Sequence, residues 1–329
     1  MDLQKLQMKS LDTKILITGA SGNLGRALIN YLSIKGYSNI TAAYHNTDKK
    51  LSNLPGITWQ KLDILDCIAL EDIMQENEIV IHLAGMVSYQ PKDKPNILKI
   101  NIEGTANVVN MANACSIKKL IHISSTAALG IPTEPRVQDE SYIPDPTQFI
   151  TDYALSKWYG ELEVWRAISE GLNAIILAPS IIINTEDPNA NTNIFKEKIK
   201  KGISYFPIGN SGFVDAADVV KAIVLLLEEE IQEDKLILNA VNLSWSTFFS
   251  KVAKNLSIKC ELKPATSFYI TYLSIKNHIS TIFGKPISVP TSMAKHMGHP
   301  FEYNGQKVTE VLNFQYTPID ETLTEYCRF

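Results

Sequence analysis

Between residues 14 and 180 the chain alternates short apolar runs with longer segments of helical spacing, and that alternation leaves few folds open. The runs are KILIT (14–18), NITAAY (39–44), ITWQKLD (57–63), EIVIHLAG (78–85), KLIHISS (119–125) and NAIILAPS (173–180). Several are continuously apolar, as strands buried on both faces read, rather than alternating like strands with one wet face. The segments between them, such as GNLGRALINYLSIKG and NILKINIEGTANVVNMANACSI, place apolar residues at i, i+3, i+4 and i+7. They are long enough to cross from one strand to the next. Repeated β-α units of this kind predict an α/β fold with a doubly wound parallel sheet of Rossmann type.

After Pro179 the pattern changes. NTEDPNANTN (184–193) is a polar loop, and the later part mixes proline-containing loops with short helical or strand-like runs. VDAADVVKAIVLLLEEE (214–230) followed by KLILNA (235–240) again reads as helix then buried strand, so a return to the large sheet is expected there. The expected division is a large sheet domain over 12–180 plus about 214–243. A smaller region over about 181–213 and 244–329 would bind substrate.

The first strand runs into TGASGNLG, which sets Gly19, Gly22 and Gly25 between a strand and the start of a helix. Glycines in such a turn permit a tight bend and let a pyrophosphate come against the backbone. Free amides and the positive end of the helix dipole then favour anionic phosphates. Ser21, Asn23 and Leu24 complete this candidate site. Further on, TDYALSKWYGELEVW carries Tyr153 and Lys157 four residues apart, on one face of a helix. A phenol with its ordinary pKa near 10 is a sluggish acid or base, and a neighbouring ammonium lowers that value. KLIHISSTAALG reads as a buried strand ending in hydroxyl residues at the carboxyl edge of the sheet, where ligands bind in such folds.

TGASGNLG, LDILD, IHLAG, INIEGTANVVNMA, HISSTAALG, Y-x-x-x-K and LAPS occur in the order and rough spacing of the extended short-chain dehydrogenase/reductase superfamily. The chain resembles that superfamily, the NAD-dependent epimerase/dehydratase family, over about residues 12–243. In the family the catalytic serine stands five positions before the glycine that closes its motif. Counting back from Gly130 gives Ser125, with Ser124 the alternative. The resemblance implies that Gly19, Gly22 and Gly25 line the pyrophosphate of a nicotinamide dinucleotide. Asp63 would meet the adenine, with Ile64 packed on its ring. Leu83, Ala84, Gly85 and Pro179 would lie along the cofactor. Asn101 would support the active-site backbone or a proton relay. Ser125, Tyr153 and Lys157 would be catalytic: the serine holds the reacting oxygen, the tyrosine exchanges its proton, and the lysine tunes the tyrosine and reaches a ribose hydroxyl.

NAD enzymes of this fold place a carboxylate at the end of the second strand, which here ends in Tyr44, His45 and Asn46. His45 with Lys49 or Lys50 could instead receive a 2′-phosphate, which favours NADP over NAD. Histidine is mostly neutral at pH 7 and a weaker anchor than arginine. Thr126 and Ala127 follow Ser125 where sugar-nucleotide dehydratases carry an acidic residue, which argues against dehydration. LAPSIIINTED departs from the arginine-bearing version common in sugar-nucleotide enzymes, and GNSGFVDAADVVKA resembles the dihydroflavonol-reductase-like group. The expected activity is reduction of a ketone or aldehyde. A nucleoside-diphosphate-sugar epimerase is the alternative, and a non-catalytic NADP-binding regulator a second, against which Ser125, Tyr153 and Lys157 argue.

With 31 basic and 35 acidic residues the chain has a net charge of -4 and no basic stripe for nucleic acid. Cys67, Cys115, Cys260 and Cys327 are scattered without a C-x-x-C pair, as unpaired thiols in a reducing compartment are. MDLQKLQMKSLDTK has no signal-type apolar core, so the expected location is cytoplasmic. SFYITYLSIKNHISTIFGK is interrupted by Lys276, Asn277 and His278, which makes it a buried or interfacial helix rather than a membrane span. No membrane partner is expected. His296 and His299 in KHMGHP lack a nearby carboxylate or cysteine, and no metal is expected. The expected partner is a small carbonyl or alcohol substrate. The resemblance adds a homodimer through the helices containing 96–114 and 152–170.

Overall fold

A strand that is apolar at every position must be covered on both sides, and the architecture supplies both covers. The computed structural model describes residues 11–46, 51–185, 192–229, 231, 234–282 and 290–328. Seven parallel strands form the central sheet: β1 (Ile15–Thr18), β2 (Ile40–Tyr44), β3 (Ile57–Lys61), β4 (Ile79–His82), β5 (Lys119–Ile123), β7 (Ala174–Pro179) and β11 (Lys235–Leu238). Their order is β11-β7-β5-β4-β1-β2-β3. The chain does return to the sheet at Lys235, where β11 pairs with β7 in the register Lys235 to Ile176.

Six helices flank this sheet: α1 (Asn23–Lys35), α2 (Cys67–Gln75), α3 (Lys94–Leu98), α4 (Gly104–Ala114), α5 (Asp152–Ser169) and α7 (Ala216–Glu228). Successive side chains of β1 go to opposite faces. Ile15 and Ile17 join Leu28, Leu32, Val219 and Ile223 of α1 and α7, whereas Leu16 joins Val80, Val108, Val109 and Val164 on the side of α4 and α5. Each such fully buried aliphatic side chain contributes roughly 1.5–3 kcal/mol.

Two helices start or run differently from the sequence pattern. The segment read as one helix over 96–117 is divided by a π-helical turn at Lys99–Glu103 between α3 and α4, a widening that tends to mark a functional position. The segment at 214–230 begins as strand, because Asp215 holds an extended backbone while its carboxylate accepts the Ala217 amide at 2.8 Å to cap α7.

The remaining strands form small sheets beside the carboxyl edge. β8 (Ile181–Ile183), β10 (Asn210–Asp215) and β12 (Val241–Ser244) are ordered β12-β10-β8. β9 (Ile203–Phe206) pairs with β13 (Glu261–Pro264), and β6 (Val137–Gln138) with β14 (Glu302–Tyr303). Around them lie α6 (Asn193–Lys200), α8 (Trp245–Asn255), α9 (Ser267–Ile282), α10 (Thr291–Met297), α11 (Gln306–Val311) and α12 (Ile319–Arg328). An aromatic core holds this region, with Phe213 and Phe248 stacked at 4.5 Å and Phe195, Trp245 and Tyr326 packed with them.

Candidate active site

Strand order reverses at β1, which lies between β2 and β4, and the glycine turn sits at that switch point. Gly19 has φ +70°, and a Cβ there would stand 2.6 Å from the Ala84 amide, so only glycine fits. A Cβ on Gly25 would stand 2.6 Å from the Gly19 carbonyl. Gly22 caps α1 without any side-chain hydrogen bond, and the first turn carries no acidic residue. The amides at Asn23 and Leu24 are therefore left for an anion. Ser21 gives its carbonyl to Arg26 Nε at 2.9 Å, which fixes the turn.

Asp63 lies past the end of β3, where its Oδ1 accepts the Leu65 amide at 2.9 Å. Its Oδ2 is 3.8 Å from His45 Nδ1 at the exposed end of β2. Ile64 is buried against α4, so close that a Cβ on Gly104 would meet its Cδ1 at 2.5 Å. Lys49 and Lys50 lie outside the described residues.

Two elements, the end of β5 and helix α5, bring the candidate catalytic groups together. Ser125 ends the β5 segment and caps the following turn, its Oγ accepting the Ala127 amide at 3.1 Å. Tyr153 stands in the first turn of α5, which Thr151 caps through the Ala154 amide at 3.1 Å. The Tyr153 ring packs edge-on against Tyr89 at 5.7 Å, and the Ser125 side chain acts on its hydroxyl. Burial raises the phenol pKa above its ordinary value, and Ser125 opposes that rise. Lys157 is buried one turn further, and its Nζ donates to the Ile123 carbonyl at 2.8 Å. Burial lowers its pKa to about 8, opposed by Glu161.

Here the arrangement departs from the expectation that the ammonium acidifies the phenol. The influences on Tyr153 are burial and Ser125, while the buried amine spends a hydrogen bond on the carbonyl at the end of β5. A buried ammonium needs such an acceptor.

Asn101 occupies the π-turn and ties the site together. Its Oδ1 accepts the Met86 amide at 2.7 Å, and its Nδ2 donates to the Met86 carbonyl at 3.0 Å and to Ser156 Oγ at 2.9 Å. It thus fastens the segment after β4 to α5. Gly160 allows the close approach, since a Cβ there would stand 2.6 Å from the Asn101 carbonyl.

A cavity of about 390 Å³ opens in front of these groups. Asn23, Leu24, Leu83, Gly85, Asn101 and Pro179 line it, together with Ser125, Tyr153 and Lys157. Ser124 also reaches it, with a buried hydroxyl that has no hydrogen-bond partner. Gly19, Ser21, Gly22, Gly25, His45, Asp63, Ile64 and Ala84 are not among the lining residues, and most lie along the switch-point crevice or the ends of β2 and β3. The cavity is also lined by Met86, Tyr89, Phe195, Trp245 and Tyr303, which no motif announced, and by His296. KHMGHP drew notice for a metal, yet His296 instead faces the cavity, with its Nδ1 lacking a hydrogen-bond partner and its ring 4.7 Å from that of Phe301. Burial pushes its pKa down to about 4. Among the described residues no three His, Cys, Asp or Glu side chains gather as a metal site.

Residues 15–240 match the NAD dependent epimerase/dehydratase family. The chain belongs to that family. It is an NAD(P)-dependent enzyme of the extended short-chain type. A Synechocystis sp. protein with the provisional name dihydroflavonol 4-reductase is 24% identical over 318 residues, covering 94% of this chain and 92% of its own. Cinnamoyl-CoA reductase CAD2 of Medicago truncatula is 26% identical over 246 residues, covering 68% of this chain and 74% of its own. In fold, UDP-glucose 4-epimerase of Thermotoga maritima superposes with a TM-score of 0.76 at 20% identity, covering 96% of this chain and 99% of that one.

Proposed function

We propose that the protein reduces a ketone or aldehyde to an alcohol with a nicotinamide dinucleotide, NADPH in preference to NADH. One observation carries the choice of reductase over sugar-nucleotide epimerase: the substrate side of the cavity is apolar and aromatic. Among its described lining residues Lys157 is the single lysine or arginine, and it is committed to the Ile123 carbonyl. Basic side chains are a common partner for the phosphates of a nucleoside diphosphate, and among the described lining residues no second one is present beside Lys157. The names of the Synechocystis and Medicago relatives support the same reading.

The glycine turn fits the cofactor, since the uncapped start of α1 offers amides to its phosphates, and Gly19 and Gly25 let the turn's backbone pack against Ala84 and Ala20 with no side chain in the way. A bound reduced nicotinamide supplies hydride. Ser125 donates a hydrogen bond to the substrate oxygen and stabilises its growing negative charge. Tyr153 then releases its phenolic proton to that oxygen, and Lys157, with one donor on the Ile123 carbonyl, would use another on a ribose hydroxyl. Asn101 holds the backbone on which these groups stand. The substrate-binding region draws on about 181–213 and 244–329, through the residues of those stretches that line the cavity, such as Phe195, Trp245, Met293 and Tyr303. NADP is favoured by β2 ending in His45 without a carboxylate, and Asp63 at 3.8 Å limits that advantage.

The test is oxidation of NADPH and NADH against a panel of ketones and aldehydes, beside an assay with UDP-sugars. Turnover on carbonyls, a lower KM for NADPH, and its loss in Tyr153→Phe with cofactor affinity retained are the expected results. Turnover on UDP-sugars alone overturns the reading in favour of an epimerase, and cofactor binding without any turnover in favour of a regulator.

A further inference from the structure

Helix α9 carries more apolar surface on its outer face than on its inner one. Leu273 and Asn277 are buried, whereas Phe268, Tyr272, Ile275 and Ile279 stand in solvent, Phe268 with 86% of its surface exposed. Spacings of four, three and four place these side chains in one stripe along the helix. Tyr205 of β9, stacked on Tyr269 at 3.8 Å, and the exposed Ile208 extend the patch. Isolated exposed apolar residues are ordinary, but a contiguous stripe marks a surface that something covers.

The segments that carry this stripe and its neighbouring elements are rich in lysine. Among the described residues of 193–208 and 245–300 there are ten lysines against two acidic residues, Glu197 and Glu261; Lys196 is buried, and Lys200, Lys251 and Lys263 pair with Glu197, Asp320 and Glu261. The whole chain has the opposite balance, 31 basic to 35 acidic.

We propose that this face docks on an anionic lipid membrane, with α9 lying in the plane of the headgroups. Phenylalanine, tyrosine and isoleucine on one face with lysine beside them suit the boundary between headgroups and acyl chains. The lysine excess complements a negatively charged leaflet and repels a second copy of the same face. Contact is peripheral, because among the described residues no helix is long and apolar enough to cross a membrane. The interrupted sequence of this segment excluded a span and is compatible with a surface helix. α9 packs on α10, whose Met293 and His296 wall the cavity, so docking brings that wall beside a source of apolar substrates.

The test is flotation of the full chain with phosphatidylcholine vesicles, alone or mixed with phosphatidylglycerol. The native chain is expected to float with the mixed vesicles, less with phosphatidylcholine alone, and less again in high salt. The double substitution Phe268→Ser with Ile275→Ser, and separately Lys276→Glu, weaken partition, the first by about tenfold. Neither changes turnover of a water-soluble carbonyl, since none of these residues lines the cavity. Failure of the native chain to float with mixed vesicles, or equal flotation of the double variant, overturns the proposal. A dimer in solution that the double variant splits, without vesicle binding, assigns the face to a second copy instead. Vesicle binding needs no catalysis, so this outcome is independent of the proposed reaction.

Discussion

Lys235 Nζ donates to Glu161 Oε2 at 2.6 Å, and both side chains are buried, one helical turn along α5 from Lys157. Burial draws the Lys157 pKa down to about 8, and the Glu161 carboxylate holds it up. Glu161→Gln removes that support, so Lys157 gives up its proton at lower pH. The alkaline limb of kcat/KM against pH is expected to move toward acid. Breaking a buried pair also costs about 3–5 kcal/mol of stability. The double variant Glu161→Gln with Lys235→Met removes the stranded charge, so it should recover most of the loss in thermal unfolding while keeping the shifted limb. An unmoved limb in that double variant would remove Glu161 from the tuning of Lys157.

Much of this arrangement is legible in the chain before folding, because most strands of the main sheet are largely apolar runs covered on both faces, the edge strand β3 (ITWQK) being partly exposed. Gly19 and Gly25 are equally legible, since a Cβ at either would stand 2.6 Å from a backbone atom. What the pattern does not reveal depends on contacts between distant segments. Lys157 finds its acceptor on β5, thirty-four positions away in the chain. Glu161 reads as one more helical surface acid until Lys235 is brought beside it by the return of β11. The wall formed by Tyr89, Trp245, His296 and Tyr303 comes from a loop, two helices and the short strand β14 with no shared spacing, and its apolar residues look like ordinary core.

His82 and His122 face each other across β4 and β5, with ring centroids 5.1 Å apart, and both are fully buried. His82 bonds to Thr18 and Thr105, whereas neither ring nitrogen of His122 has a partner. Burial lowers the pKa of His82 to about 3 and that of His122 well below its ordinary value. In the unfolded chain both take a proton near pH 6.5. Acid therefore favours the unfolded state: stability is fully present above about pH 6.5 and falls as pH drops below it, at up to about 1.4 kcal/mol per pH unit for each histidine. His122→Leu removes one of the two and the unpartnered nitrogens with it. Denaturant unfolding between pH 4 and 6.5 is expected to show a shallower slope for this variant, and an unchanged slope would exclude His122 from the acid sensitivity.

His296 is one of the polar groups on the cavity wall whose hydrogen-bonding capacity is unspent, in its case at Nδ1. With its pKa pushed down to about 4, it stays a neutral imidazole throughout the neutral range, able to accept or donate one hydrogen bond to substrate without adding charge. Its ring packs on Phe301 at 4.7 Å, so leucine keeps most of the apolar contact and removes the polar one. A hydrogen bond of this kind is worth about 1 kcal/mol. His296→Leu is therefore expected to raise KM about fivefold with kcat nearly unchanged, because the bond is made equally in the bound substrate and in the transition state. The acid limb of kcat/KM down to about pH 5 should not move, since the native imidazole does not titrate there. A fall in kcat with KM unchanged would instead place this imidazole in contact with the reacting oxygen.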